Sequence, residues 1–229
     1  MRILLKLSGE ALAGDKKTGF SEEVVRGVAA QIKKISKDNQ IAVVIGGGNF
    51  WRGRTSENMD RVKADQIGML ATVMNCLYVS EIFRTEGMDT EVFTPFICST
   101  FTRQFSKDEA LKSLKEGKIT FFAGGTGHPY FSTDMGTVLR AVEIEADAVL
   151  LAKSIDGVYD DDPKTNINAK KFDEISLEEV VKRGLKVVDT TASALALENK
   201  MPFRVFDLNE ENSIVNALSG EFHGTIVSA

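Results

Sequence analysis

The chain has 229 residues, 43% hydrophobic and 27% charged, with a formal net charge of −5; that suits one large domain or two small ones with a substantial core. The negative balance excludes a general nucleic-acid surface, which needs clustered positive charge, but leaves room for small anions held by a few local cations. No apolar run approaches the ~18 residues of a membrane span, and the N-terminus reads as a short strand rather than a signal-peptide core, so no membrane partner is expected.

In chain order, residues 3–7 form the first strand, and residues 8–14 turn away from it into a polar loop tip at 15–19. Ser21 suits a helix cap, Glu22 and Glu23 suit its positive end, and Val24, Val28, Ile32 and Ile35 recur at helical spacing. Residues 41–45 are apolar and mostly β-branched, a strand buried on both faces; strand, helix, strand in this order predicts a parallel pair. A long helix spans about 62–85, with Ile67, Leu70, Ala71, Met74, Leu77 and Tyr78 as its expected buried stripe. A short strand at 91–93 follows, and Ser106 opens a helix to about Lys115 that Gly117 stops. Strands at 119–123 and 148–152 flank a helix opened by Thr133 or Asp134, and 160–171 is a hairpin or loop. Ser176 has capping-box spacing, 190–199 is helical, 203–206 is a strand, and a helix near 213–218 and a strand at 225–227 close the chain. The pattern predicts one α/β domain over 1–229, a three-layer α/β/α sandwich with a mostly parallel central sheet.

In open parallel sheets, ligands sit beyond the carboxyl ends of the strands. Those ends carry Lys6-Leu7-Ser8-Gly9, Gly46-Gly47-Gly48-Asn49, Gly124-Gly125-Thr126-Gly127 and Lys153. The glycine triplet is either a tight strand-to-helix turn or a cradle of bare amides for phosphate, with Arg52 beside it. Lys6 is either a lysine snorkelling from an edge or a phosphate ligand. Neither Gly-x-x-x-x-Gly-Lys-Ser/Thr nor Gly-x-Gly-x-x-Gly is present, so this is not a P-loop chain and a dinucleotide reading is weak. The loop Thr126-Gly127-His128-Pro129-Tyr130-Phe131-Ser132-Thr133 is either a long capped turn or a reader of a base or sugar phosphate. Asp65, Asp134, Asp156, Asp162 and Asp189 are acids able to meet Mg²⁺ or ribose hydroxyls; Asp65 and Asp134 gain weight by lying at helix starts. The two cysteines, Cys76 and Cys98, lack motif spacing and read as small buried hydrophobes in a reducing compartment, so the expected location is the cytoplasm.

Lys6-Leu7-Ser8-Gly9-Glu10-Ala11-Leu12, Val44-Ile45-Gly46-Gly47-Gly48-Asn49, the run Gly68-Met69-Leu70-Ala71-Thr72-Val73-Met74-Asn75, Asp156-Gly157-Val158-Tyr159 and Leu185-Lys186-Val187-Val188-Asp189 together resemble the bacterial uridylate (UMP) kinases of the amino-acid kinase family. The resemblance spans nearly the whole chain. It implies reversible transfer of the ATP γ-phosphate to UMP with Mg²⁺, in pyrimidine nucleotide synthesis. It implies that Lys6, Leu7, Ser8, Gly9, Gly48 and Arg52 hold ATP phosphates, with Lys153, Tyr159 and Asp162 around the adenosine. Gly47, Asp65 and the loop from Thr126 to Thr133 would hold UMP, and Lys6, Asp134 and Asp189 would form the catalytic set, with no protein metal ligand assigned. An acceptor part over roughly 1–150 and an ATP part over roughly 151–229 follow, as do a homohexamer, GTP as activator and UTP as inhibitor. His128 stands where relatives often carry Asn, and Lys153-Ser154 replaces a Thr-Lys or similar pair seen in some relatives. Alternatives to this reading are a relative acting on a carboxylate or carbamate, and a catalytically silent nucleotide sensor.

Overall fold

The computed structural model describes residues 1–51, 58–219 and 222–229. β1 (Arg2–Leu7) leads through a short α1 (Gly9–Ala13) to α2 (Glu22–Ile35), and β2 (Gln40–Ile45) returns parallel to β1. The next segment contains α3 (Arg61–Thr85), β3 (Thr90–Thr94), β4 (Arg103–Gln104), α4 (Lys107–Lys115) and β5 (Ile119–Phe122). Then come α5 (Thr133–Glu143), β6 (Ala148–Lys153), a hairpin of β7 (Val158–Tyr159) and β8 (Lys171–Phe172), β9 (Glu174–Ser176) and α6 (Leu177–Arg183). The chain ends with α7 (Thr190–Glu198), β10 (Phe203–Asp207), α8 (Ser213–Asn216) and β11 (Thr225–Ser228).

The main sheet runs β4-β3-β5-β2-β1-β6-β10-β11-β9, and β10–β11 is its antiparallel pair. β5, β2, β1 and β6 are therefore consecutive, so the four strand ends singled out by sequence lie side by side. The order switches at β1: β2 pairs on one side, β6 on the other. That is the crevice where open α/β sheets bind ligands.

Two cores cover the two faces. Ile3, Leu5, Leu7, Ile41, Val43 and Ile45 pack with α2 and α3 residues such as Val28, Ile32, Cys76, Val79 and Phe83. Leu4, Ala42, Val44, Val149 and Leu151 pack on the opposite face with α5 and α7 residues such as Val138, Ala141, Ala192 and Ala196. The alternation of side chains along a strand has a direct consequence for the polar positions. Lys6 shares parity with Leu4, and Lys153 with Leu151, so both lysines emerge on the α5 face.

The structure corrects four expectations. Residues 8–14 do not simply turn away: they contain α1, built from the helix formers Glu10-Ala11-Leu12-Ala13, with Leu12 and Ala13 buried. The stripe assigned to α3 is only half right: Ala71 is buried and Leu77 and Tyr78 pack against the core, but Ile67, Leu70 and Met74 are exposed, and Val73, Cys76, Val79 and Phe83 complete the buried face. α3 is apolar on several faces, so its own periodicity does not select one. It is also long and apolar enough to cross a membrane by length and composition, contrary to the expectation that no run approaches that length. Half of that window is buried, where α3 packs on the sheet and α2. Finally, Cys98 is only half-buried, while Cys76 is fully buried and its thiol is pushed up to about 12, chiefly by burial. Only the thiolate reacts. In a thiol-reagent titration near pH 8, Cys98 is expected to react in the folded protein and Cys76 only after denaturant is added; two fast thiols in the folded protein would contradict this.

β4 and β9 were not anticipated. Each is an edge strand of two or three residues, too short to show an alternating pattern.

Candidate active site

Parity brings Lys6 out toward the first turn of α5, where its Nζ lies 3.1 Å from Asp134 Oδ1. Asp134 is not the cap of that helix, as the sequence suggested. Ser132 is: its Oγ accepts from the Met135 N–H at 3.1 Å. Asp134 is thereby left in the first turn, turned to Lys6. Asp189 caps α7 by accepting from the Ala192 N–H at 3.0 Å, and its other oxygen accepts from the Ser132 hydroxyl. One short chain of bonds therefore ties the starts of α5 and α7 together. Both helices present their positive ends to the same corner.

Lys153 reaches that corner from β6. It donates to the Val187 carbonyl. Burial lowers its pKa, the Asp134 carboxylate opposes that shift, and the nearby Lys6 ammonium adds to it. In the window between its folded value and the ~10.4 of an unfolded lysine, the unfolded state binds more protons, so stability from this group rises with pH. Melting temperatures of wild type relative to Lys153→Met are expected to increase as pH rises through that window. A difference independent of pH would show that the lysine is not desolvated.

The glycine triplet meets this corner through close backbone approach. Gly46 N–H donates to the Leu7 carbonyl at 3.0 Å. Asn49 and Asn75, both fully buried, exchange two amide bonds of 3.0 and 2.8 Å. Asn75 also donates to the Gly46 carbonyl at 2.7 Å, and Asn49 to the Gly19 carbonyl at 2.8 Å. α3 is thus pinned to the glycine loop by side chains. A Cβ at Gly47 would stand 3.0 Å from both the Ala71 Cβ and the Gly68 carbonyl, so a side chain here would press the glycine loop against α3.

Beside the triplet lies a cleft of about 220 Å³ lined by Gly47, Gly48, Asp65, Thr126, His128, Phe131, Ser132 and Thr133 among others. Gly127, Pro129 and Tyr130 do not line it. A Cβ at Gly127 would meet Pro95, and the Tyr130 ring is exposed. Sequence reasoning missed Arg61, Gly68, Met69 and Thr72, which also line the cleft. The signal was available: 61, 65, 68, 69 and 72 follow the helical period from Asp65. Thr72 further accepts from the Gly124 N–H at 2.7 Å, joining α3 to the end of β5.

A second cleft of about 470 Å³ contains Lys153, Tyr159 and Asp162, with Leu185, Lys186 and Val187 opposite them. Tyr159 donates to Asp156 at 2.8 Å, and Lys171 holds the other Asp156 oxygen at 2.9 Å. Asp162 Oδ1 accepts from the Lys164 N–H at 2.9 Å, shaping the turn after β7. The Leu7 side chain is buried in the core, so only its backbone faces the crevice; Ser8 sits at the N-cap of α1 without a side-chain bond. Arg52 lies outside the described residues.

A crevice at a sheet switch point, edged by glycine-bearing strand ends and two lysines and outside any P-loop, marks the class. The family model of the amino acid kinase family matches residues 1–207, and the chain belongs to that family. It is 46% identical to a uridylate kinase of Streptococcus thermophilus, over 99% of this chain and 94% of that protein. Among solved structures it is similar to UMP kinase from Ureaplasma parvum, with a TM-score of 0.96, 36% identity, and 100% of this chain and 99% of that chain covered. UMP kinase from Bacillus anthracis gives a TM-score of 0.95 and 34% identity, over 99% of this chain and 95% of that chain.

Proposed function

We infer that the chain transfers the terminal phosphoryl group of ATP to UMP, giving UDP and ADP. The observation that carries this reading is the likeness, 46% identical across 99% of the chain, to a uridylate kinase. The geometry supports it: two clefts flank one corner built from Lys6, Asp134 and Lys153. A phosphate monoester with a second pKa of ~6 is already largely dianionic at neutral pH, so the acceptor needs no general base. It needs in-line placement and neutralisation of two anions that repel.

In this reading the part over 1–150 holds UMP in the cleft against α3, and the part over 151–229 holds the adenosine in the cleft around Tyr159 and Asp162. Lys6, Lys153, Arg52 and the amides near Gly9 and Gly48 gather phosphates. Asp65 accepts ribose hydroxyls. Mg²⁺ enters with ATP and neutralises phosphate oxygens. Among the described residues no group of three or more His, Cys, Asp or Glu could hold a metal. A nucleotide-borne ion fits that donor set, because it takes most of its ligands from phosphates and water. Asp134 is the carboxylate best placed to meet it, since both oxygens of Asp189 are engaged by Ala192 and Ser132. Homohexamer formation belongs to the same reading, and the exposed Ile67, Leu70 and Met74 offer apolar surface for self-association. GTP activation, UTP inhibition and a cytoplasmic location, which suits two free thiols, complete it.

The test is ADP release with MgATP across UMP, CMP, AMP, glutamate, aspartate and carbamate, repeated with GTP and UTP. Turnover on UMP far above the others is expected. Turnover only on a carboxylate or carbamate would reject the reading, and nucleotide binding without turnover on any acceptor would make the chain a sensor.

A further inference from the structure

Asp65 divides its carboxylate between two tasks. Oδ2 accepts from Arg61 Nε at 2.8 Å and from the Tyr130 N–H, also at 2.8 Å. No hydrogen bond to Oδ1 is found among the described residues, so one oxygen is saturated by the protein and the other remains an acceptor. Arg61 and Asp65 both line the cleft beside the glycine triplet. The Arg61 guanidinium also lies 5.4 Å from the centre of the Tyr130 ring. Tyr130 reaches this place with φ at 70°, left-handed backbone that a bulky residue adopts only when its surroundings enforce it. The charge-assisted bond to Asp65 and the guanidinium over the ring are the contacts that offset the strain. The loop from 126 to 132 is thus tied to α3 through one carboxylate oxygen.

We propose that Arg61 and Tyr130 are positioning residues for the acceptor: they fix Asp65 so that its second oxygen is presented to the vicinal hydroxyls of a ribose, which makes the site select ribonucleotides over 2′-deoxyribonucleotides. The proposal rests on the reading of the cleft as the UMP site. Two further consequences follow. Arg61 offsets the Asp65 charge, which would otherwise repel a dianionic acceptor. A carboxylate freed to rotate would satisfy the Tyr130 N–H with either oxygen and lose its fixed aim at the sugar.

The experiment compares kcat and KM for UMP and dUMP in wild type, Arg61→Met, Arg61→Lys and Tyr130→Gly. Wild type is expected to prefer UMP. Arg61→Met should reduce the ratio of kcat/KM for UMP to that for dUMP by about tenfold, the scale of one hydrogen bond to a charged group. The loss should fall on KM for UMP, and Arg61→Lys should recover part of it. Tyr130→Gly keeps the N–H and relaxes the backbone but removes the ring, so it should lower the ratio less and serves if Arg61→Met fails to fold. An equal loss on both nucleotides, an unchanged ratio in folded variants, or a wild type blind to the 2′-hydroxyl would overturn the proposal. Wild type that turns over neither nucleotide would count against the UMP kinase reading instead, and calorimetric affinities for UMP and dUMP would then still measure the ratio.

Discussion

Lys6→Ala is expected to lower kcat by about a hundred- to a thousandfold, the usual scale for removing one preorganised electrostatic partner of a transition state. The residue stands at the end of the central strand, on the α5 face, 3.1 Å from Asp134. Its side chain is only 15% exposed, so its charge acts in a medium less screening than water. Removing it does more than delete a cation. Asp134 would remain as an uncompensated anion beside two phosphate groups, adding repulsion where attraction is needed. Lys6→Ala with Asp134→Asn should therefore be less impaired than the sum of the two single changes, as expected for neighbours in one network. The stability cost should fall between the about 0–1 kcal/mol of an exposed pair and the about 3–5 kcal/mol of a buried pair that loses one partner, because the two side chains are 15% and 24% exposed. Single-turnover rates and a thermal melt on the same samples separate the two effects. Near-normal kcat in a folded Lys6→Ala protein would remove Lys6 from the site.

Gly9→Ala is expected to damage both stability and turnover through one methyl group. An added Cβ would fall inside contact distance of the Gly46 carbonyl, 2.5 Å from Asn49 Oδ1 and 3.0 Å from Asn75 Nδ2. None of these can swing aside. The carbonyl is backbone, and the two amides are locked to each other and to Gly46. α1 and the glycine loop must therefore move apart, at about 1–3 kcal/mol for an overpacked contact. That separation spreads the amides expected to meet phosphate, and a displacement of about 1 Å can cost on the order of a hundredfold in rate. Gly27 supplies the control. It lies within α2 with nothing within 4 Å of an added Cβ, so Gly27→Ala should raise stability by roughly 0.5–1 kcal/mol. Opposite signs for the same substitution at 9 and 27 are expected in chemical denaturation. A Gly9→Ala protein with wild-type midpoint and rate would show that the contact relaxes freely.

Much of this site could be read in one dimension because strands and helices have short, fixed periods. The apolar runs at 3–7 and 41–45 and the glycine-bearing ends after them identified β1, β2 and the edge where open sheets bind ligands, and β5 and β6 followed by the same rule. The α3 stripe is the contrary case. Its apolar residues cover several faces, so the buried set depends on which neighbours arrive, and Ile67, Leu70 and Met74 proved exposed. The helix start at 132–134 shows a finer limit. Ser132, Thr133 and Asp134 are all plausible caps by residue type; the cap is Ser132, and Asp134, two residues on in the first turn, pairs with Lys6 at the end of β1.

By itself the sequence determined the α/β class, the parallel strands, the four glycine- or lysine-bearing strand ends that lie side by side and the resemblance to a family of kinases. These depend on local periodicity and on glycine, whose backbone freedom belongs to the residue itself. Only the tertiary structure decided that Lys6, Asp134 and Lys153 share one corner, that Arg61 and Tyr130 occupy the same oxygen of Asp65, and that Asn49 and Asn75 bind the glycine loop to α3. Apart from Arg61 and Asp65, which stand one helical turn apart, those partners are separated by 19 residues or more along the chain. Their distances follow from strand order and helix packing, and no local spacing encodes either.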